Sequence, residues 1–405
     1  MAKTPTAATM DVEAEVLRRY GDAAKAPEAS LCCPVQYEQE YLKAIPQEVL
    51  EKDYGCGDPS RWVRRGERVV DLGSGTGKIC FILSQKAGPE GRVTGVDFNE
   101  KMLSLARRHA PTVAERTGCD NVQFVKGRIQ DLALDPDRAQ QWLDDHPVRT
   151  VEDLSAFEAE CDRLRRDEPM IRSDSTDVVV SNCVLNLVKP ADKDRLFLEI
   201  FRVLRPGGRA VISDIVCDED PPASILEDPE LWSGCISGAF REDRFLARFI
   251  EAGFYGVEIL ARSQEPWRVV EGIEFRSLTV QAHKMPVEPC LERNQAIIYK
   301  GPWRCVCDDD DHKFFRGERM AVCDKTFKIM TDGQGPYASD IVAVPPHVEV
   351  PLDQAAAFDC CISERRDPRR TKGMDYRATS EPVGGECCST PADDGPPCCG
   401  GEGQA

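Results

Sequence analysis

Residues 69–77 read Val69-Val70-Asp71-Leu72-Gly73-Ser74-Gly75-Thr76-Gly77, and the fold is decided there. Two β-branched residues lead to an acid, and the glycines then alternate with Ser74 and Thr76. Glycine reaches positive φ at little cost, so the chain can reverse tightly and bring backbone N–H groups close to a ligand. A helical pattern, KICFILSQ, follows at once. Strand, glycine turn and helix together open a parallel βαβ unit.

The rhythm continues outward. VTGVDF (93–98) reads as a second strand, with Asn99 placed to cap the helix EKMLSLARRH. NVQFVKG (121–127) is a third strand and DVVVSNCVL (177–185) a fourth. The helix LFLEIFRVL precedes a fifth strand, GRAVISDIV (208–216). Short apolar strands separated by helices predict an α/β fold, a doubly wound and mostly parallel Rossmann-like sheet over residues 61–282. Leu204-Arg205-Pro206-Gly207-Gly208 reads as a scaffold turn ahead of strand five. Between Gln130 and Ser175 a polar helical insertion places Leu154, Phe157, Cys161 and Leu164 on one face.

The flanks differ in texture. Residues 1–60 read as a helical segment with cysteine loops, Val12, Val16, Leu17 and Tyr20 sharing a helix side. Residues 283–360 predict a smaller α+β domain with strands at QAIIYKG, FKIM and IVAV; Trp267 and Trp303 are expected as core anchors. Residues 361–405 are Arg-rich, then Gly/Pro/Cys-rich, and disorder is expected because no apolar period offsets the ordering entropy. The Arg365, Arg366, Arg369 and Arg370 patch is read as solvated surface.

Across 405 residues, 52 Lys and Arg stand against 70 Asp and Glu, a net charge of −18. That balance excludes sequence-independent capture of nucleic acid and of anionic membranes. No run approaches the ~20 apolar residues that span a bilayer, and no signal-peptide core follows Met1. The expectation is a cytoplasmic monomer. Nineteen cysteines accompany only 5 histidines. In a reducing compartment such a surplus of thiols suits a soft, sulfur-rich site.

Two acids identify the ligand of the glycine turn. Asp97, ending strand two, has the position of an acid gripping ribose hydroxyls. Asp71 would repel a dinucleotide pyrophosphate but favour the ammonium and sulfonium charges of S-adenosylmethionine. The charge logic therefore points to a methyl donor as cofactor.

For the acceptor, no His or Glu adjoins Ser181-Asn182-Cys183. Three cysteines lie in segments able to reach the ligand-bearing edge of the sheet: Cys56, Cys183 and Cys235. Three thiolates make a trigonal soft site suited to trivalent arsenic, whose lone pair can itself be the nucleophile. Each free thiol is only ~3% ionised at pH 7, so coordination must expel protons. Zinc is the rival ion, although it would prefer a fourth ligand. Packing alone is the bland alternative for each cysteine.

The motifs VVDLGSGTG, VTGVDF, DVVVSNCV and VLRPGGR, in this order over residues 69–216, resemble class I S-adenosylmethionine-dependent methyltransferases. The resemblance implies a donor cradled by Tyr54, Asp71, Gly73, Gly75, Thr76, Asp97, Phe98, Asn99, Ile129 and Asn182. The segments Tyr54-Gly55-Cys56-Gly57, Ser181-Asn182-Cys183-Val184-Leu185-Asn186-Leu187 and Cys235-Ile236-Ser237-Gly238-Ala239 are similar to those of the arsenite methyltransferases. That family likeness, running from about residue 11 to 345, implies a catalytic set of Cys32, Cys56, Cys183 and Cys235. Cys56, Cys183 and Cys235 would bind arsenic, the last on a loop at 224–240. Cys32 or Cys33 would be an upstream redox cysteine able to pair with Cys56. The implied partners are arsenite, methylated trivalent arsenicals or their thiol conjugates, with glutathione or thioredoxin as reductant. The implied small domain helps close the substrate groove.

Two features depart from the family pattern: Gly234 stands where relatives carry Glu, and the insertion at 130–175 is longer. No obligatory structural metal is expected, although Cys305 and Cys307 with Cys290 and Cys323 have a spacing that a metal could use. The pairs Cys360-Cys361, Cys387-Cys388 and Cys398-Cys399 suit arsenic capture. The rival functions are methylation of a small organic acceptor and non-enzymatic binding of a metalloid or zinc.

Overall fold

The protein is described by a computed structural model covering residues 12–25, 28, 35–52 and 54–376. It divides into two compact units. The first runs to Pro289 and includes residues 307–313 and 332–339; the second comprises Cys290–Val306, Phe314–Thr331 and the chain from Asp340 onward.

The first unit is built on one sheet. Strands β1 (Arg68–Leu72), β2 (Arg92–Asp97), β3 (Val122–Lys126), β4 (Thr176–Asn182) and β5 (Leu204–Cys217) run parallel. Then β6 (Phe254–Arg262) and β7 (Ile273–Lys284) complete the order β3-β2-β1-β4-β5-β7-β6, with β7 antiparallel to both neighbours. This is a Rossmann-like mixed α/β core, as the alternating pattern predicts.

Helices cover both faces. Strand β4 is buried along its whole length, and its side chains alternate. Val179 joins one apolar cluster with Phe197 and Ile200 of α6 (Lys193–Val203) and Phe245 and Phe249 of α8 (Glu242–Glu251). Val178 and Val180 join the other, with Phe81 and Leu83 of α2 (Lys78–Ala87) and Leu103 of α3 (Glu100–Thr117). Asn99 caps α3 by accepting from Lys101 N at 3.1 Å. Helix α1 (Val12–Ala23) and the short α7 (Pro229–Ser233) also belong to this unit.

The insertion forms α4 (Pro136–Asp145) and α5 (Val151–Asp167), the latter started by a Thr150–Asp153 capping box. Cys161 and Leu164 pack with Ala139, but Leu154 is exposed, because α4 is too short to cover that end of the face. The expected Pro206-Gly207 turn is instead a bulge within β5. Thr176 pairs with Leu204 and Val178 with Arg209, so Arg205–Gly208 bow out opposite Asp177. The Asp177 carboxylate accepts from Arg68 N at 2.8 Å and also holds Arg205.

In the second unit, β8 (Ala296–Tyr299) lies between β9 (Arg319–Ala321) and β10 (Ile341–Val344), antiparallel to each. Residues 327–330, expected as a strand, belong to α9 (Asp324–Thr331), whose Thr326, Ile329 and Met330 share a buried helical face. Trp303 is 70% exposed rather than a core anchor. Order continues past Cys360 to Met374–Tyr376, including a short helix at Pro368–Lys372. Arg366, expected on the surface, is buried: its guanidinium reaches both Glu292 carboxylate oxygens at 2.9 Å and Gln295 O at 3.1 Å. Pairing with a carboxylate and a carbonyl is what makes that burial tolerable. The pairs at 387–388 and 398–399 lie outside the described residues.

One buried base sets the acid sensitivity of the core. His283 lies on β7 opposite Arg209, and its Nε2 has no hydrogen-bond partner among the described residues. Burial, then the Arg209 and Arg64 charges, lower its pKa from 6.5 to about 4, with Asp332 opposing. Below pH 6.5 the unfolded chain takes up a proton that the folded chain refuses, so stability falls as pH drops toward 4. Urea unfolding at pH 5 should therefore show about 2 kcal/mol less stability from this group than at pH 7. His283→Gln should flatten that pH dependence, and an unchanged slope would contradict it.

Candidate active site

The C-terminal ends of β1 and β2 build a cavity. Gly73 N and Ser74 N donate to Val96 O at 2.8 and 3.0 Å, locking the turn onto β2. The Asp97 carboxylate accepts from Gly75 N at 2.8 Å and Asn99 N at 2.7 Å. Burial raises the pKa of Asp97, while these N–H groups oppose the shift. Gly75 has φ +53°, and a Cβ there would meet nothing within 4 Å, so the turn is open on its outer side.

Eight of the expected cofactor residues line this one cavity: Tyr54, Gly73, Gly75, Thr76, Asp97, Phe98, Asn99 and Ile129. Cys183 and Val184 line it too. Asp71 does not. It sits 2% exposed behind the turn and accepts from Cys80 Sγ at 3.2 Å. Nor does Asn182, whose amide is committed elsewhere. The open glycine, the half-buried acid Asp97 and the apolar wall fit S-adenosylmethionine, a zwitterionic nucleoside with a sulfonium centre.

Helix α1 supplies a wall that the sequence did not assign to the site. Val16, Leu17 and Tyr20 line the cavity. Glu13 pairs with Arg128 at 2.7 Å, and the Arg128 guanidinium stacks on Phe98, 4.7 Å from its ring centre. The amphipathic spacing of α1 was a visible signal; its destination was not.

The thiols meet beside this cavity. Asn182 Oδ1 accepts from Cys56 N at 2.9 Å and Gly57 N at 3.0 Å, while its Nδ2 donates to Gly57 O at 2.8 Å. The amide thus fixes the Cys56 turn at the end of β4. Cys183 follows immediately, with φ +65°, and Cys235 follows the loop of α7 with φ +62°. Left-handed backbone at a residue bearing a Cβ costs of order 1 kcal/mol and is held here by the surrounding fold. Cys183 N donates to Ser213 O at 2.8 Å, and Cys235 Sγ contacts Cys183 O at 3.3 Å. Arg19 of α1 steadies the α7 loop through Glu230 O and Ser233 Oγ, both at 2.8 Å.

Cys56, Cys183 and Cys235 share one apolar cluster; the Cys183 sulfur lies within 4.8 Å of that of Cys56, and Cys235 Sγ donates to Cys183 O. Cys183 is the shared member. The trio whose ligand atoms all lie within 4.8 Å of one another is Cys56, Cys183 and Asp214. Cys32 and Cys33 lie outside the described residues.

Asp214 was not foreseen, although an acid inside the apolar run of strand five was the clue. Its carboxylate is fully buried and accepts from Leu185 N and Ile215 N at 2.8 Å. Burial pushes its pKa up to about 6, with these N–H groups and Lys193 opposing. Burial likewise lowers Lys193 to about 8. The Cys183 thiol is pulled down by Cys235 but pushed up more by Cys56, burial and Asp214, so its pKa ends well above the ordinary value. Cys235 is raised by its hydrogen bond to Cys183 and by burial. Both are neutral thiols at pH 7. Gly234, where the family pattern has an acid, caps α7, and Asp214 is the carboxylate that faces the thiols.

A methyltransferase domain family matches residues 64–171 and 160–253, and a family described as a domain of unknown function matches 286–376. The chain has an S-adenosylmethionine-dependent methyltransferase fold. It is homologous to arsenite methyltransferases: that of Mus musculus is 28% identical over 371 residues, 87% of each chain. That of Halobacterium salinarum is 34% identical over 212 residues, covering 52% of this chain and 43% of the relative. The crystal structure of an arsenic(III) S-adenosylmethionine methyltransferase from Chlamydomonas reinhardtii superposes with a TM-score of 0.53 at 27% identity. It covers 81% of this chain and 100% of that one.

Asp97→Ala removes the acceptor that ties Gly75 to Asn99. Calorimetric titration with S-adenosylmethionine should show affinity reduced by at least about ten-fold, the equivalent of ~1.4 kcal/mol. Unchanged affinity would move the donor away from this cavity.

Proposed function

We propose that the chain methylates trivalent arsenic, giving mono- and dimethylated products. The observation that carries this reading is that Cys183 both lines the cofactor cavity and holds its sulfur within 4.8 Å of that of Cys56, with Cys235 Sγ 3.3 Å from its carbonyl oxygen. A group bound on these sulfurs would sit next to the donor. Homology to arsenite methyltransferases supports the same acceptor.

The chemistry follows from the protonation state. Arsenite, As(OH)₃, brings its own proton acceptors: each S–H replaces one As–OH, and the proton leaves with hydroxide as water. Neutral thiols therefore suffice, and the nearby Asp214 charge keeps them protonated until the electrophile arrives. Held by sulfur, arsenic retains a lone pair, so the acceptor needs no general base. Bound S-adenosylmethionine would supply an electrophilic methyl on a sulfonium sulfur. The protein's part is alignment and exclusion of water: Tyr20, with its hydroxyl 3.8 Å from Cys235 Sγ, and Val184 wall the passage between cavity and thiols.

Closing Cys235 onto the Cys56–Cys183 pair completes the three-sulfur set for inorganic arsenite. One methylation removes one sulfur bond, and the proposed order releases Cys56 while Cys183 and Cys235 keep the monomethyl species. Methylation formally oxidises arsenic, so a thiol reductant, glutathione or thioredoxin, belongs to the proposed cycle, with Cys32 or Cys33 as its upstream cysteine. A reducing cytoplasm is the proposed setting. No helix among the described residues is long and apolar enough to cross a membrane.

Arsenic speciation over time, with purified protein, S-adenosylmethionine and thiol, tests the roles. Cys183→Ser should abolish every methylation. Cys56→Ser should stop arsenite turnover but spare conversion of preformed monomethylarsenite. Normal arsenite turnover in both variants would sink the assignment.

A further inference from the structure

The second unit holds its own thiol cluster. The sulfurs of Cys290, Cys323 and Cys360 lie within 4.8 Å of one another, although 70 residues of sequence separate the first from the last. Different elements deliver them. Cys290 precedes Leu291–Glu292, which pairs antiparallel with Ala356–Ala357; Phe358 N then donates to Cys290 O at 2.9 Å. That pairing brings Cys360 alongside Cys290. Cys323, fully buried, stands just ahead of α9, its sulfur 3.3 Å from Thr326 N and 3.2 Å from Thr326 Oγ1. The CxC at Cys305 and Cys307, expected from spacing to share such a site, is not part of this trio.

We propose that Cys290, Cys323 and Cys360 form a second three-sulfur site for trivalent arsenic, carried by the C-terminal unit. The donor set decides the ion. All three ligands are soft, and no fourth His, Cys, Asp or Glu among the described residues joins the trio. The adjacent acid, Asp324, is already taken: Oδ1 binds Arg293 at 2.8 Å and Gln295 at 3.1 Å, and Oδ2 binds Lys328 at 2.8 Å. Zinc would therefore lack its tetrahedral fourth ligand and leave a net negative complex on an acidic chain. Arsenic bound by three sulfurs is pyramidal and neutral.

The exchange balances without a redox step. Three As–O bonds of As(OH)₃ break, three As–S bonds form, and the three thiol protons leave in three waters. Burial works against the Cys323 anion, but the Thr326 hydroxyl and amide, then Cys290 and Cys360, hold its pKa below the ordinary thiol value. Cys290 and Cys360 are half-buried, so the cluster has a solvent-facing side through which arsenite can enter. The inference rests on this sulfur geometry, and its readout does not require that the chain methylate arsenic.

Peptide-resolved alkylation of the full-length reduced protein tests it, with arsenite or zinc chloride as the added probe. Arsenite should slow labelling of Cys290, Cys323 and Cys360 together, and zinc at the same concentration should not. Cys360→Ser, a change at a half-buried position, should weaken arsenite protection of Cys290 by about 100-fold while leaving protection of Cys183 and Cys235 as in the parent protein. Labelling of Cys290 and Cys360 at the same rate with and without arsenite would overturn the proposal, and so would protection by zinc alone. Loss of methylation with protection at Cys290 intact would count against the active-site reading only.

Discussion

The side-chain amide of Asn182 is the interaction on which the active site depends. It binds the backbone of Cys56 and Gly57 across 126 residues of sequence, from a position at the buried end of β4. An amide can do this because it offers an acceptor and a donor on one rigid plane, matching both an N–H pair and a carbonyl. Gly55 leaves the room: a Cβ there would run into the Asn182 side chain. Asn182, expected at the cofactor, does not line the cavity; its amide holds the Cys56 turn beside Cys183, the residue that follows β4.

Around that point, the fold imposes opposing demands. Cys56, Cys183 and Cys235 sit among Ile215, Ile225, Ile236 and Phe275, an apolar setting that favours neutral thiols. Asp214 adds a negative charge on the same side. The outcome is a pair of thiols, Cys183 and Cys235, held in the neutral form. The trio in the second unit is tuned in the opposite direction at Cys323, where an amide and a hydroxyl favour the anion.

Much of this was legible beforehand. The glycine turn, the acid ending β2 and the Asn99 cap all act within a few residues, where local geometry decides, and the β-branched run of β4 could only be a buried central strand. Local pattern failed where a segment's partner lay elsewhere. Residues 327–330 look like a strand because four of them are too few to separate a period of two from one of 3.6; Cys323 and Thr326 start the helix that settles it. Arg366 looks solvent-bound until Glu292 is found beside it.

Sequence alone determined the parallel sheet, the position of the glycine turn and which segments carry the thiols, because apolar period, glycine placement and residue identity are properties of short stretches. Which sulfurs meet was decided only by the tertiary structure. Convergence of Cys56 with Cys183, of Asp214 with both, and of Cys290, Cys323 and Cys360 depends on strand order and on hydrogen bonds between remote segments. No spacing along a chain encodes a distance of a few ångströms across it.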